Sequence, residues 1–408
     1  MAVSLLAYEV SDLCLGKPAL RSLSISATVG EALSALKRSG ENHLSVWSCD
    51  HSSTTANDFE DCRCIGKLCM VDVVCYLCRS ENLLCPLTAL KSPVSVLLPK
   101  VPGLVKHVEP HSSLREFRIK CSGNGDDFLD LLIFFLFLEA IDLILEGAQN
   151  LVVPIQSNIS SNSRKKLLQK SSFGPTLHKG HEFCWLTQED VIRFLLSSIG
   201  IFSPIPTFSI ESLGIIGTDF LAMGYHDPAS SATISRALTE QTSVAVVDED
   251  GKLIGEISPF TLACCDETVA AAITTLSAGD LMAYIDCGGP PEDIVRVVKA
   301  RLKERNLEGM LDLFEEFSIS SSSSSSSDEE FSSRLTRYSR SGSYSARMVR
   351  RAEAIVCHLG SSLVAVMIQA LAHRVNYVWV IEDDCSLAGI VTFSDMLKVF
   401  RENLPSMA

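Results

Sequence analysis

Four pairs of polar residues, each spaced three positions apart, could contact a phosphorylated ligand. Each pair follows a β-rich apolar run and opens a stretch with helical periodicity. The pairs are Cys69 with Asp72, Thr187 with Asp190, Ser258 with Thr261, and Thr392 with Asp395. A hydroxyl group and the N–H groups of a helix N-terminus can bind phosphate, while a carboxylate can accept hydrogen bonds from both hydroxyls of a ribose. This pattern indicates a nucleotide site without catalysis.

The same spacing also has a purely structural interpretation. A Ser or Thr followed three residues later by an acidic residue forms a helix capping box, in which both side chains satisfy backbone N–H groups that lack helical partners. Two of the pairs also depart from the pattern: Cys69 offers a thiol, a poorer phosphate donor than a hydroxyl, and Thr261 replaces the carboxylate. The recurrence supports a shared fold, but it leaves open whether any site is occupied.

The four pairs occupy the same place in a repeating series of elements. A helical stretch leads into an apolar strand, a second apolar strand follows, and a polar turn opens another helix. The series is clearest in the last copy, which has a helix at Leu363–Leu371 and a strand at Tyr377–Ile381 before the run that ends at Leu397. The sequence therefore predicts four copies of one small α/β repeat.

Two segments interrupt this order. Residues 115–137 split the second copy and are either translated intron sequence or a genuine insertion. After the third copy a charged amphipathic helix is predicted at Glu292–Glu316, and the serine run Ser320–Ser327 that follows is too polar to fold. The predicted divisions are residues 1–97 (repeat 1), 98–200 (repeat 2, with the atypical insertion), 201–270 (repeat 3), 271–317 (helical connector), 318–350 (disordered Ser/Arg-rich linker) and 351–408 (repeat 4).

Composition excludes several classes of protein. The 408 residues are 47% hydrophobic, which is enough for more than one core, and the formal charge of -14 opposes general binding to nucleic acid. The apolar run Leu131–Leu138 is far shorter than the roughly 20 residues of a membrane-spanning helix, so no membrane span is predicted. Met1–Lys17 has neither a basic start nor an unbroken apolar stretch. We therefore expect no signal or transit peptide, and a cytoplasmic or nuclear location.

The 15 cysteines indicate reduced thiols rather than a disulfide framework, because the chain is long and their number is odd. Cys62-x-Cys64 and Cys75-x-x-Cys78 have spacings found in zinc sites. However, Cys75 and Cys78 fall within a predicted helix, and a closed tetrahedral site would distort the repeat. We therefore expect no metal site.

No nucleophile with an adjacent base, no Walker-type phosphate loop and no HExxH motif occurs in the sequence. We accordingly expect no catalytic residues and no enzymatic activity. Any output must then pass through another protein or another subunit.

The repeats, above all the run Gly389-Ile-Val-Thr392-Phe-Ser-Asp395-Met-Leu397, resemble CBS domains, which are named for cystathionine β-synthase. The whole chain is similar to plant CBS-domain-containing proteins with four repeats. This resemblance implies an α/β (α+β) fold in which four βαββα repeats pair into two pseudo-twofold Bateman modules. In that family the clefts of the modules bind adenosine nucleotides, the hydroxyl residue contacting phosphate and the Asp contacting ribose. The ligand-binding residues implied here are Thr392, Asp395, Thr187, Asp190 and Asp72.

Two functions follow as expectations. The first is a non-catalytic regulator that senses AMP, ADP, ATP or another adenosyl ligand and modulates a partner protein, with no other cofactor. The second is an interaction scaffold whose ligand sites are vestigial. The resemblance also suggests a homodimer formed through the Bateman modules, while the sequence does not identify the regulated partner.

Overall fold

A computed structural model describes residues 10–39, 42–49, 62–99, 101, 103–108, 138–155, 177–178, 180–286, 291–322 and 353–403. Within these residues the strands form four three-stranded sheets, one in each predicted repeat. In every sheet the first strand is parallel to the second, and the second is antiparallel to the third. A parallel pair needs a crossover connection, which the first helix of each repeat supplies. The predicted βαββα order is confirmed.

The bounds of these elements follow the apolar periodicity closely. Repeat 1 has strands Ser22–Ser24, His43–Trp47 and Cys64–Cys69 and helices Val29–Ser39 and Met70–Leu77. Repeat 2 has strands Val105–His107, Asn150–Ile155 and Glu182–Thr187, a helix over residues 138–145 and the helix Gln188–Ser197. Repeat 3 has strands Leu221–Gly224, Val244–Val247 and Leu253–Ile257 and helices Ser231–Glu240 and Pro259–Leu262. Repeat 4 has strands Val356–His358, Tyr377–Ile381 and Leu387–Thr392 and helices Leu363–His373 and Phe393–Asn403.

The sheets pack in pairs, repeat 1 on repeat 2 and repeat 3 on repeat 4. Trp47 and Val152 are buried between the first two sheets, and the Leu20 N–H donates to the Phe183 carbonyl at 2.7 Å. Between the other two, Gly217 and Ile390 exchange backbone hydrogen bonds of 2.8 and 2.9 Å. Each sheet thus buries one face against its neighbour in the chain, as the predicted pairing into modules requires.

The helices join the two modules in a different combination. One core combines repeats 1 and 3, where Val74 packs in a cluster with Ile234 and other buried residues. The second core combines repeats 2 and 4 and contains the buried side chains of Ile192 and Phe400. Burial of each such side chain contributes roughly 1.5–3 kcal/mol. Every repeat is therefore held by one neighbour through its sheet and by another through its helices.

Further helices surround this framework. They span Val10–Leu13, Ser80–Leu83, Pro86–Ala89, Val269–Thr275, Ala278–Asp286, Glu292–Glu304 and Glu308–Ser322, with short 3₁₀ turns at Val94–Leu97, Ile199–Phe202 and Ile205–Thr207. The prediction of one continuous helix from Glu292 to Glu316 is wrong. The chain breaks at Asn306, whose φ of 54° lies in the left-handed region that ends a helix.

Two of the predicted segments lie largely or wholly outside the described residues. None of the residues 115–137 of the predicted insertion is described. Of the linker predicted at 318–350, only residues 318–322 are described, as the end of a helix. Among the described helices, none combines the length and apolar character that crossing a bilayer requires.

A buried carboxyl group connects the sheets of repeats 3 and 4 and makes their stability depend on pH. Glu256 is 4% exposed, and its two oxygens accept hydrogen bonds from Tyr377 Oη at 2.8 Å and Trp379 Nε1 at 2.7 Å. Burial raises the pKa of Glu256 to about 7, although these hydrogen bonds lower it. The folded protein therefore binds this proton more tightly than the unfolded chain does, and the free energy of unfolding falls as pH rises from about 4.5 to about 7.

We expect Glu256→Gln to remove this pH dependence, because an amide fills the same space and does not titrate. The stability of the variant relative to the unmodified chain should rise between pH 5 and pH 7.5, by on the order of 3 kcal/mol at most. Chemical denaturation at several pH values measures this difference. Glu249→Gln, at an exposed position in the same repeat, is the matched control. A difference between the Glu256 variant and the unmodified chain that stays constant over this pH range would contradict the assignment.

Candidate functional site

A cavity of about 980 Å³ lies where the four repeats meet. Its walls include the residues just before the second strand of repeats 1, 2 and 4 and the start of the second helix in repeats 2 and 3. Polar and charged lining residues are Asn42, His43, Lys67, Asp72, Arg79, Gln149, Asn150, Thr187, Gln188, Glu189, Arg193, Ser235, Thr239, Gln241, Thr242, Ser258, Arg374, Asn376 and Tyr377. The volume is in the range of small-molecule sites, which is roughly 300–1,000 Å³.

The charge of this wall is opposite to that of the whole protein. Lysine and arginine contribute four lining residues, whereas Asp and Glu contribute two, in a chain whose formal charge is -14. His43 adds no positive charge, because burial and the neighbouring Lys67 lower its pKa to about 2. A concave site with an excess of cations concentrates anions from solution. The cavity therefore suits an anionic ligand.

Lys67 and Asp72 are two charged groups on this wall whose pKa values are shifted by burial. Burial lowers the pKa of Lys67 to about 8, and its Nζ donates to Asn150 Oδ1 at 3.1 Å across the boundary between repeats 1 and 2. Burial raises the pKa of Asp72 to about 6, against the effects of the Cys69 N–H and of Lys67. An amine and a carboxyl group of this kind are poised to respond to a charged ligand.

The structure places the predicted residues Asp72 and Thr187 on the cavity wall, along with Ser258 of the pair that lacks a carboxylate. Asp190, Thr392 and Asp395 do not line this cavity. The four pairs occupy the same place in the sequence of each repeat, but only some of them line the cavity.

Each predicted carboxylate caps its own helix. Asp72 Oδ2 accepts from the Cys69 N–H at 2.7 Å, and Asp190 Oδ2 accepts from the Thr187 N–H and hydroxyl at 2.8 and 2.7 Å. In repeat 4 the corresponding bonds to Asp395 are 2.9 and 2.6 Å. The hydrogen bonds expected from the capping interpretation are thus present in repeats 1, 2 and 4. A carboxylate can still accept further hydrogen bonds while it caps, since it offers about four lone-pair positions.

Asp190 has a second partner that the sequence spacing does not predict. Lys17, which follows the helix Val10–Leu13, donates from Nζ to Asp190 Oδ2 and also to the Trp185 carbonyl at 2.6 Å. Both charged side chains are about four-fifths buried. Lys17 therefore occupies one side of a carboxylate that the family resemblance assigns to ribose.

The capping regions of repeats 2 and 4 also touch each other. Gln188 follows Thr187 and donates from Nε2 to Ser394 Oγ at 3.1 Å, one residue before Asp395. The second helices of these two repeats consequently begin side by side. This polar contact adds to the apolar packing of the two helices and helps to set their register.

Sequence reasoning missed Lys67, Arg193 and Arg374, which supply most of the positive charge of the cavity. A signal for Lys67 existed. In the strand Cys64–Cys69 side chains alternate between faces, so Lys67 shares a face with Cys69 and not with the buried Leu68. Arg374 ends a helix with φ of 54°, and nothing in the local sequence indicates that it faces the other repeats.

Comparison with known proteins agrees with this architecture. The family model for the CBS domain matches residues 346–402. The CBS domain-containing protein CBSX5 of Arabidopsis thaliana is 50% identical to the chain over 99% of both proteins. The chain belongs to the CBS domain-containing proteins. The resemblance to plant proteins of this family is confirmed.

More distant relatives extend the comparison over the whole chain. The SNF1-related protein kinase regulatory subunit gamma-like PV42b of Arabidopsis thaliana is 20% identical over 99% of this chain and 97% of its own length. The solved structure of protein MJ1225 from Methanocaldococcus jannaschii covers 96% of this CBS domain protein with a TM-score of 0.51 and 14% identity, and is itself covered completely. At this identity the likeness to MJ1225 concerns the fold alone.

The different surroundings of Asp190 and Asp395 predict different costs of truncation. Asp395→Ala removes a capping box, which costs about 1 kcal/mol. Asp190→Ala removes a capping box and also leaves the largely buried Lys17 without its carboxylate, so we expect a loss of about 2–3 kcal/mol. Chemical denaturation of both variants measures the difference, and the double variant Lys17→Met/Asp190→Ala should recover part of the loss. Equal losses for the two single variants, with no recovery, would contradict this account of Lys17.

Proposed function

We propose that this CBS domain protein is a non-catalytic regulator that binds an adenosine nucleotide in the central cavity and thereby changes its action on a partner protein. The observation that carries the proposal is the cavity wall itself: all four repeats contribute to it, and it combines an excess of cations with the half-buried carboxyl group of Asp72. Its sequence relatives add support, since one of them is named as a kinase regulatory subunit of the gamma type.

The roles of the lining residues follow from their chemistry. Lys67 and Arg374 would pair with phosphate oxygens. The Thr187 hydroxyl would add a hydrogen bond at a helix N-terminus by turning its one hydrogen from Asp190 to the phosphate. Asp72 would accept hydrogen bonds from the ribose hydroxyls. Thr392, Asp395 and Asp190 would serve as helix caps, because they do not line the cavity.

Ligand binding at this position can affect the whole molecule. Lys67 and Asn150 meet across repeats 1 and 2, while Arg374 reaches the same cavity from repeat 4. A ligand shifts a conformational equilibrium only if it binds one arrangement more tightly than another. A nucleotide held between repeats binds one arrangement of the repeats more tightly than another whenever the distances between the repeats differ in the two arrangements. We propose that the partner reads this difference, in the cytoplasm or nucleus, and that two chains can associate through their modules.

One observation favours the alternative, an interaction scaffold with vestigial sites. Every predicted carboxylate already caps its own helix, and Asp190 is additionally paired with Lys17. In a scaffold the capping boxes would be purely structural. The two functions make opposite predictions for a nucleotide titration.

Calorimetric titration of the full chain with AMP, ADP, ATP and S-adenosylmethionine tests the proposal. We expect binding of at least one adenosine nucleotide, and a loss of affinity of about 10- to 100-fold in Lys67→Met, because a charge-assisted hydrogen bond of about 1.5–3 kcal/mol is removed. Asp72→Asn should weaken binding by about 10-fold for the same reason. Asp395→Asn, outside the cavity, is the matched control and should retain affinity.

Two results would contradict this assignment. Flat titrations with all four compounds would leave the scaffold as the function. Binding that Asp395→Asn abolishes and Lys67→Met leaves intact would place the nucleotide in the cleft of repeat 4 instead of the central cavity.

The pH dependence of binding offers a separate check. Lys67 carries its positive charge below its pKa of about 8, and the Asp72 carboxyl group is ionised above its pKa of about 6. Affinity for the nucleotide should therefore be highest between these values and should fall on either side. In Lys67→Met the decline above pH 8 should disappear, while the decline below pH 6 should remain. An unchanged alkaline limb in this variant would show that Lys67 does not contact the phosphate.

A further inference from the structure

Three metal-binding side chains outside the central cavity converge beside the interface between repeats 1 and 2. The Sγ atoms of Cys49 and Cys62 are 3.0 Å apart, and they lie 3.3 and 3.1 Å from Nδ1 of His178. Metal–ligand bonds of about 2.0–2.3 Å place the ligand atoms of a tetrahedral zinc site roughly 3.5 Å from one another. A small adjustment of side chains would bring all three atoms around one ion.

The surroundings of His178 orient its ring toward the two sulfurs. The imidazole is 2% exposed and stacks on Trp47, with ring centroids 3.5 Å apart and planes inclined by 6°. On its other edge, Nε2 is 2.6 Å from the hydroxyl of Ser22. When Nε2 carries the proton and donates it to Ser22, the lone pair of Nδ1 points at Cys49 and Cys62. Metal-binding histidines are commonly held by such a hydrogen bond from the other ring nitrogen.

Neither a disulfide bond nor simple hydrogen bonding accounts for this cluster as well as a metal ion does. A disulfide bond between Cys49 and Cys62 needs an S–S distance of about 2.05 Å, far below the observed separation. Hydrogen bonding alone would surround a nearly fully buried imidazole nitrogen with thiols, which are weak donors and acceptors. Cys64 belongs to neither arrangement, because its Sγ donates to the Gly66 carbonyl at 3.5 Å.

We propose that Cys49, Cys62 and His178 bind a zinc ion. Two thiolates and one neutral imidazole are the donors that zinc prefers, and they leave a fourth tetrahedral position for water or another ligand. Binding releases one proton from each thiol and needs no electron transfer, so occupancy should decrease as pH falls.

The position of the ligands gives the ion a structural role. Cys49 lies just after the second strand of repeat 1, Cys62 lies just before the third strand, and His178 precedes the third strand of repeat 2. An ion held by all three would link Cys49 to Cys62, the two ends of the connection between the second and third strands of repeat 1. Through His178 it would also join the sheets of repeats 1 and 2. It would stabilise the first module and leave the second without direct contact.

This cluster differs from the cysteine spacings that the sequence offers. Of the cysteines in the short Cys75-x-x-Cys78 spacing, the structure places Cys75 within a helix and Cys78 at its end, both buried among apolar side chains. His178 is separated from Cys62 by 116 positions, so no spacing in the sequence predicts their contact.

Metal analysis of the full chain tests the proposal. Protein purified under reducing conditions without chelator should contain close to one zinc per chain by plasma mass spectrometry. After chelation and reloading with Co²⁺, the unmodified chain should show thiolate-to-cobalt charge-transfer bands and the intense visible bands of a tetrahedral ion. Cys62→Ser and His178→Ala should reduce the zinc content several-fold, whereas Cys64→Ser and Cys85→Ser should retain it.

Three results would overturn the proposal. The first is absence of zinc both after purification and after reconstitution with Zn²⁺. The second is a zinc content that neither Cys62→Ser nor His178→Ala lowers. The third is a Cys49–Cys62 disulfide as the dominant state of the protein isolated from a reducing cytosol. The cobalt spectrum of the unmodified chain keeps the test valid if a variant fails to fold, and the outcome is independent of nucleotide binding.

Discussion

The fold depends on how each small repeat buries its two apolar surfaces. A three-stranded sheet with two helices cannot cover both its exposed sheet face and its helix face by itself. In this protein the sheet face packs on the adjacent repeat, while the helices pack on a repeat of the other module. These two kinds of contact link repeats 1, 2, 4 and 3 into a closed ring. The polar ends of their strands and helices are then left facing one another, and the central cavity is the space between them.

This arrangement explains why some of the capping residues line the cavity and others do not. The capping residues lie at strand-to-helix junctions because helices need their N-terminal N–H groups satisfied, whatever else the protein does. The ring brings some of these junctions, such as that at Thr187, onto the cavity wall and leaves others, such as that at Thr392, away from it. One local motif can therefore be purely structural in one repeat and available to a ligand in another. Position in the assembly decides between the two roles.

The local elements could be predicted from sequence, since apolar periodicity and turn residues act over a few positions. The strand Tyr377–Ile381 coincides with its prediction, and the helix predicted at Leu363–Leu371 extends to His373. Contacts between distant segments could not be predicted in this way. The pairs Lys17–Asp190 and Lys67–Asn150 and the cluster of Cys49, Cys62 and His178 each join residues that are brought together only when two repeats pack. The break at Asn306 escaped prediction for another reason: a left-handed residue can interrupt a helix without changing its apolar pattern.

A crystal structure of the full chain grown with AMP would test the central claim most directly. The account predicts one nucleotide in the central cavity, with its phosphate beside Lys67 and Arg374 and its ribose hydroxyls directed toward Asp72. A nucleotide bound at Thr392 and Asp395 with the central cavity holding only solvent, or two modules separated so that no shared cavity exists, would contradict it.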